Sequence, residues 1–130
     1  MRYADALLDH FYNPRNAFRM QDPTLVGAAG TPGRGPFLVL YLRVEGERIS
    51  AASFQTYGCA PAIASGSLLA DRLPGSTRAE AASWTAEAIA AALGGVPEVK
   101  RHCPALAAEA LRKALTGWPP SVSGCPTTVP

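Results

Sequence analysis

Cys59 and Cys103 are the residues of this chain best placed to do chemistry. Each stands at a loop-to-helix junction, in Tyr57-Gly58-Cys59-Ala60-Pro61 and in His102-Cys103-Pro104. The first N–H groups of a helix lack intrahelical partners and the helix dipole favours negative charge, so a thiol there is biased toward thiolate. Thiolate is the form that binds soft metals or attacks electrophiles. With His102 beside Cys103, two thiolates and an imidazole form a soft three-ligand set suited to Zn²⁺ or to iron–sulfur chemistry. The competing reading is that free cysteine simply packs as a small buried hydrophobe, and Cys-x-x-Cys spacing is absent. The third cysteine, Cys125, reads as an exposed thiol that could fold back as a ligand, since a long loop costs little extra closure entropy. His10 reads as a helix-end residue meeting the last carbonyls, and Arg34 as a solvated loop arginine. No phosphate loop is convincing, because Gly30-Thr31-Pro32-Gly33-Arg34-Gly35 lacks the helix that must follow it. No Ser/His/Asp arrangement or carboxylate pair stands out.

The elements that must position these residues follow from periodicity and punctuation. Tyr3, Leu7 and Phe11 recur every four residues, which predicts a short helix ending before Asn13-Pro14. Residues 21–36 hold three prolines and four glycines and read as a mobile loop. Phe37 to Val44 and Arg48 to Thr56 read as strands joined by a turn at Glu45-Gly46-Glu47, with Leu38, Leu40, Leu42 and Val44 facing the core. A helix follows Cys59, with Ala62, Gly66, Leu69 and Leu73 on its packed stripe and Pro74-Gly75 as its stop. Thr77-Arg78-Ala79-Glu80 fits a capping box for a helical region that breaks near Trp84 and stops at Gly94-Gly95. The last helix, Ala105 to Thr116, aligns Ala108, Leu111, Leu115 and Trp118 on its buried face. The expected class is α+β: a small antiparallel sheet of about three strands, two of them read directly from the residues, packed with helices.

Bulk properties narrow the function. With 130 residues, the chain is long enough for one core without disulfide staples. Residues 1–118 read as one domain and 119–130 as a flexible tail. Twelve basic and ten acidic residues give a net charge of +2 with no basic run, which disfavours nucleic acid and a polybasic membrane patch as partners. No apolar run reaches the ~20 residues of a membrane span, and the first residues form no signal peptide. An odd cysteine count suits a reducing cytoplasm. High Ala, Arg, Gly and Pro content with two lysines suggests a GC-rich bacterial genome.

Three runs of residues, in order, resemble the U-type iron–sulfur cluster assembly scaffolds, the IscU/NifU N-terminal domain family. They are Asp9-His10-Phe11-Tyr12-Asn13-Pro14-Arg15-Asn16; Phe54-Gln55-Thr56-Tyr57-Gly58-Cys59 with Ala62-Ile63-Ala64-Ser65; and Val99-Lys100-Arg101-His102-Cys103. The resemblance spans Tyr3 to Trp118. It implies an IscU/NifU-like fold and a carrier, not an enzyme. The expected cargo is a [2Fe–2S] cluster or zinc, held through Cys59, His102 and Cys103. It implies a cysteine desulfurase as sulfur donor, a chaperone, and apo acceptor proteins as partners, with the chain a monomer or weak homo-oligomer. It also implies a first cysteine in a Pro-x-Cys-Gly-Asp loop. Here that loop reads Pro32-Gly33-Arg34-Gly35-Pro36, so Arg34 replaces the cysteine and Pro36 the aspartate. A site short of these ligands should bind metal more weakly, and the Arg34 guanidinium could balance a thiolate. The chaperone-recognition stretch survives in part as Val96-Pro97-Glu98-Val99-Lys100. Alternatives are a thiol-dependent redox enzyme using Cys59 and Cys103, a non-cluster accessory that docks on a desulfurase, and a structural zinc module.

Overall fold

Hydrophobic alternation in the central hairpin organises the molecule. A computed structural model describes residues 3–31 and 33–118; Pro32 and the segment 119–130, which carries Cys125 and the expected tail, lie outside the described residues. The elements are α1 (Asp5–Tyr12), β1 (Leu25–Gly30), β2 (Phe37–Glu45), β3 (Arg48–Tyr57), α2 (Ala60–Arg72), α3 (Arg78–Ala82), α4 (Ala86–Ala92), a 3₁₀ turn (Glu98–Lys100) and α5 (His102–Thr116). The three strands form one antiparallel sheet in the order β1-β2-β3. Leu38, Leu40 and Leu42 are fully buried on the face that meets the helices, as their alternation predicts. Gly46, with φ +64°, makes the β2–β3 turn.

β1 corrects the loop expected over residues 21–36. Its residues Leu-Val-Gly-Ala-Ala-Gly carry little bulk, which hides the period-two pattern, yet their burial alternates strictly. The cause is helix α5, which lies almost in contact with the strand backbone. A Cβ at Gly27 would sit 2.0 Å from the Ala110 carbonyl oxygen. The same contact rotates the buried face of α5 relative to expectation: Ala107, Ala110 and Ala114 join Leu111 and Leu115 in the core, while Ala108 is only half-buried. The helix also begins at His102, three residues before its expected start.

Helix α2 packs on β3 through small residues. A Cβ at Gly66 would lie 2.4 Å from the Phe54 ring, so only glycine lets the ring seat there. Thr77 and Glu80 make the expected capping box, with the Glu80 carboxylate accepting from Thr77 N at 2.8 Å. The break near Trp84 separates α3 from α4, whose own cap is Thr85. The outer edge of β3 is covered: Phe54 N donates to Asn16 O, and Ile49 N to Ser76 O, which blunts an otherwise free strand edge.

His10 does not bond the carbonyls of its own helix. It is buried, 7% exposed, and its Nδ1 lies 2.7 Å from Ser67 Oγ on α2. The Arg15 guanidinium approaches the same nitrogen at 3.2 Å, and Arg15 N donates to Ser67 Oγ at 2.9 Å. Asp9 pairs with Arg15 at 2.8 Å. Two donors on Nδ1 require a lone pair there, so the neutral ring with its proton on Nε2 satisfies the network. Burial, then the Arg15 charge, holds the His10 pKa below its ordinary value against the opposing pull of Asp71 and Asp9. The residues 9–16 thus clamp the N-terminal segment onto α2 and β3.

Candidate metal centre

β3 and the 3₁₀ turn deliver the two cysteines to a common point. Cys59 is the N-cap of α2, in extended conformation with φ −86°, and its carbonyl accepts from Ala62 N and Ile63 N. Its side chain makes no capping hydrogen bond, which leaves the sulfur free to face elsewhere. The 3₁₀ turn runs directly into α5, so Cys103 sits in that helix's first turn, 1% exposed. Although 44 residues separate them, the two Sγ atoms lie 3.3 Å apart, with both thiols free. A disulfide needs about 2.05 Å, and two thiolates on one tetrahedral metal stand about 3.8 Å apart. The pair is therefore within a small adjustment of sharing a cation.

The electrostatics of the pair run against the expected thiolate bias at Cys103. Burial is the largest cause, followed by the hydrogen bond and charge of Cys59; together they push the Cys103 pKa up to about 12, against a smaller downward pull from Lys100. Desolvation outweighs the helix terminus because the sulfur is enclosed and its nearest polar neighbour is another sulfur. Lys100, and not Arg34, is the cation that acts on Cys103. Lys100 escaped notice among the candidate ligands; its signal was a basic residue one turn ahead of a helix-initial cysteine.

The remaining expected residues are not gathered with the sulfurs. His102, the first residue of α5, is exposed. Among the described residues no three His, Cys, Asp or Glu side chains are grouped to hold a metal ion. Arg34 is exposed in a turn closed by its N–H to Thr31 O at 3.0 Å. The loop carrying it nonetheless reaches the site: a Cβ at Gly58 would stand 3.7 Å from the Pro36 Cβ, immediately before Cys59. The position where the resemblance asks for an aspartate thus lies against Gly58, one residue before Cys59, and is occupied by a side chain that cannot donate to a metal. Tyr57 and Val99, each 67% exposed, flank the two junctions in sequence, and Phe37 stacks on Tyr57 with centroids 6.3 Å apart.

Comparisons with known proteins agree with this architecture. The family described as NifU-like N terminal domain matches residues 2–123. "Iron-sulfur cluster assembly scaffold protein IscU 1" of Archaeoglobus fulgidus is 44% identical over 116 residues, covering 89% of this chain and 76% of that protein. The IscU scaffold protein of Azotobacter vinelandii is 40% identical over 122 residues, covering 91% and 94%. Among solved structures, a candidate SUF-system scaffold from Fervidobacterium islandicum AW-1 superposes with a TM-score of 0.69 at 20% identity, over 87% of this chain and 96% of that one. No helix among the described residues is long and apolar enough to cross a membrane.

Proposed function

This chain belongs to the family of NifU-like N-terminal domains, and we propose that it is an iron–sulfur cluster scaffold or carrier whose cargo is held by Cys59 and Cys103. The observation that carries this reading is the 3.3 Å approach of two sulfurs delivered by separate elements. The cargo is a [2Fe–2S] cluster or zinc. The remaining ligands come from His102 after a side-chain rotation, from Cys125, or from a partner, because Arg34 and Pro36 supply neither thiolate nor carboxylate. Such a site binds its cargo weakly and releases it readily. It favours a carrier working with a cysteine desulfurase and apo acceptor proteins in a reducing compartment. The thiol-enzyme reading, with Cys59 as nucleophile and Cys103 resolving it, gains no support: the similar proteins are named as scaffolds, and Cys103, the thiol that would have to resolve, is enclosed.

Metal loading must displace the Cys103 proton, so binding releases protons and strengthens with pH. The test is anaerobic reconstitution with iron and sulfide, followed by visible absorption, iron and sulfide analysis, and alkylation of the thiols. The expected outcome is a labile, substoichiometric cluster and slower alkylation of Cys59 and Cys103 when metal is present. A stoichiometric, chelator-resistant cluster in both the native chain and Cys125→Ala would discard the weakened site. Alkylation at the same rate with and without metal would discard the carrier.

A further inference from the structure

Away from the sulfur pair, the fold leaves an open groove of about 850 Å³ between α5 and the corner where α3 meets α4. Its floor is apolar and low, built by Ala82, Trp84, Ala108, Leu111 and Leu115. Along α5 it runs from Ala105 to Leu115, about 15 Å or three helical turns. Arg78 and Arg112 stand on opposite walls, and neither is in a salt bridge among the described residues. Glu109, the one acidic lining residue, is already engaged by Lys113 at 3.0 Å. A further cation, Arg72, lies 5.9 Å from the centroid of the Trp84 ring. The groove is therefore an apolar trough edged by uncompensated positive charge.

We propose that this groove receives an amphipathic helix of a partner protein, whose apolar ridge fills the trough and whose flanking carboxylates meet Arg78 and Arg112. Shape favours a helix. Alanines at positions 82, 105 and 108 let a second backbone approach to the 8–10 Å typical of packed helices, and the trough is open along its length. A small molecule would instead need walls that enclose most of its surface and buried polar groups to orient it. Charge selects the partner: a helix bearing Glu or Asp beside its Leu/Ile row gains at both rims, and one bearing Lys is repelled. A second copy of this chain is the competing occupant.

The test uses the full metal-free chain and a stapled helical peptide of about 14 residues, with Leu on one ridge and Glu on both flanks, and a matched peptide with Lys in place of Glu. Expected on titration of the Glu peptide are amide shifts at Ala79, Ala82, Ala105 and Ala108 and a shift of the Trp84 indole. Affinity falls about tenfold in the Arg78→Glu/Arg112→Glu double variant, in which the Lys peptide becomes the better ligand. Both arginines project at the groove's edge, so the double variant leaves the core intact, and its unchanged circular dichroism verifies that. Equal binding of both peptides to both proteins, shifts centred elsewhere, or no shift at peptide up to about 1 mM would each overturn the proposal. Shifts at the same amides on concentrating the protein alone would give the groove to a second copy and overturn it as well.

Discussion

Helix α2 serves two polar constructions that differ in one respect. Midway along it, Ser67 joins a closed network in which Ser67, His10, Arg15 and Asp9 satisfy one another. At the N-terminus of the same helix, Cys59 meets Cys103, and among the described residues no third metal-ligating side chain joins the pair. A closed network rigidifies the fold and has nothing left to bind. An open pair keeps its bonding capacity, its buried thiol staying protonated until a cation displaces the proton. The contrast separates what holds this scaffold together from what it can carry, and substitutions in one region should leave the other untouched.

The largest effect is expected at the open end. Cys103→Ala removes one of two sulfurs and should weaken zinc or cluster retention by at least about a hundredfold, beyond the loss typical of outer-shell changes. Stability should fall by only about 1–2 kcal/mol, as for a small buried side chain truncated. Chelator competition and urea unfolding of the same samples check both halves. Retained metal affinity would mean that the cargo does not sit on this pair.

Ser67→Ala is the converse. The hydroxyl both donates to His10 Nδ1 and accepts from Arg15 N, so its loss leaves a donor and an acceptor short, costing about 2 kcal/mol. Zinc affinity should not change. If it does, the two ends of α2 are coupled and the separation fails.

How far these regions could be read without coordinates differs for a physical reason. Cys59 and Cys103 were legible as a pair because their chemistry is rare and their placement before helices is local information. Their mutual distance was not, since it depends on how α5 crosses the sheet. That crossing is set at Gly27, whose missing side chain lets Ala110 and Ala114 descend onto β1; small residues weaken periodic patterns and so conceal the strand and the true face of the helix. The capping box at Thr77 and Glu80, the hairpin at Gly46 and the leucine face of β2 were legible because each rests on neighbours in sequence. The bond from His10 to Ser67 spans 57 residues, and nothing local announces that a serine in a small-residue helix will receive a histidine. The pKa of Cys103 was misjudged for a related reason: the helix terminus is visible in sequence, the depth of burial is not.

A smaller effect should sharpen the contrast from the other direction. Arg34→Cys combined with Pro36→Asp restores the thiolate and carboxylate that the resemblance implies, on a loop already lying against Gly58. Cluster loss to a chelator should slow by about tenfold or more, with urea stability little altered. No change would show that the loop backbone, and not only its side chains, has moved away from ligand geometry.

The smallest effect is a pH dependence confined to the closed network. His10 is neutral in the folded chain and its pKa lies below the ordinary value of 6.5, so the unfolded chain takes up a proton first as pH falls. Between the folded pKa and 6.5, protonation therefore favours unfolding, and stability drops with falling pH; above 6.5 both states are neutral and this contribution is flat. One proton limits the slope to about 1.4 kcal/mol per pH unit. Asp9, held low by Arg15, adds its own loss only below the carboxylate value of 3.8, outside this window. Urea unfolding of the metal-free, reduced protein from neutral to mildly acidic pH should show the decline. His10→Asn, which keeps an acceptor facing Ser67 but cannot titrate, should flatten it. A decline of equal slope in His10→Asn would shift the titration to another group and leave the clamp a purely geometric device.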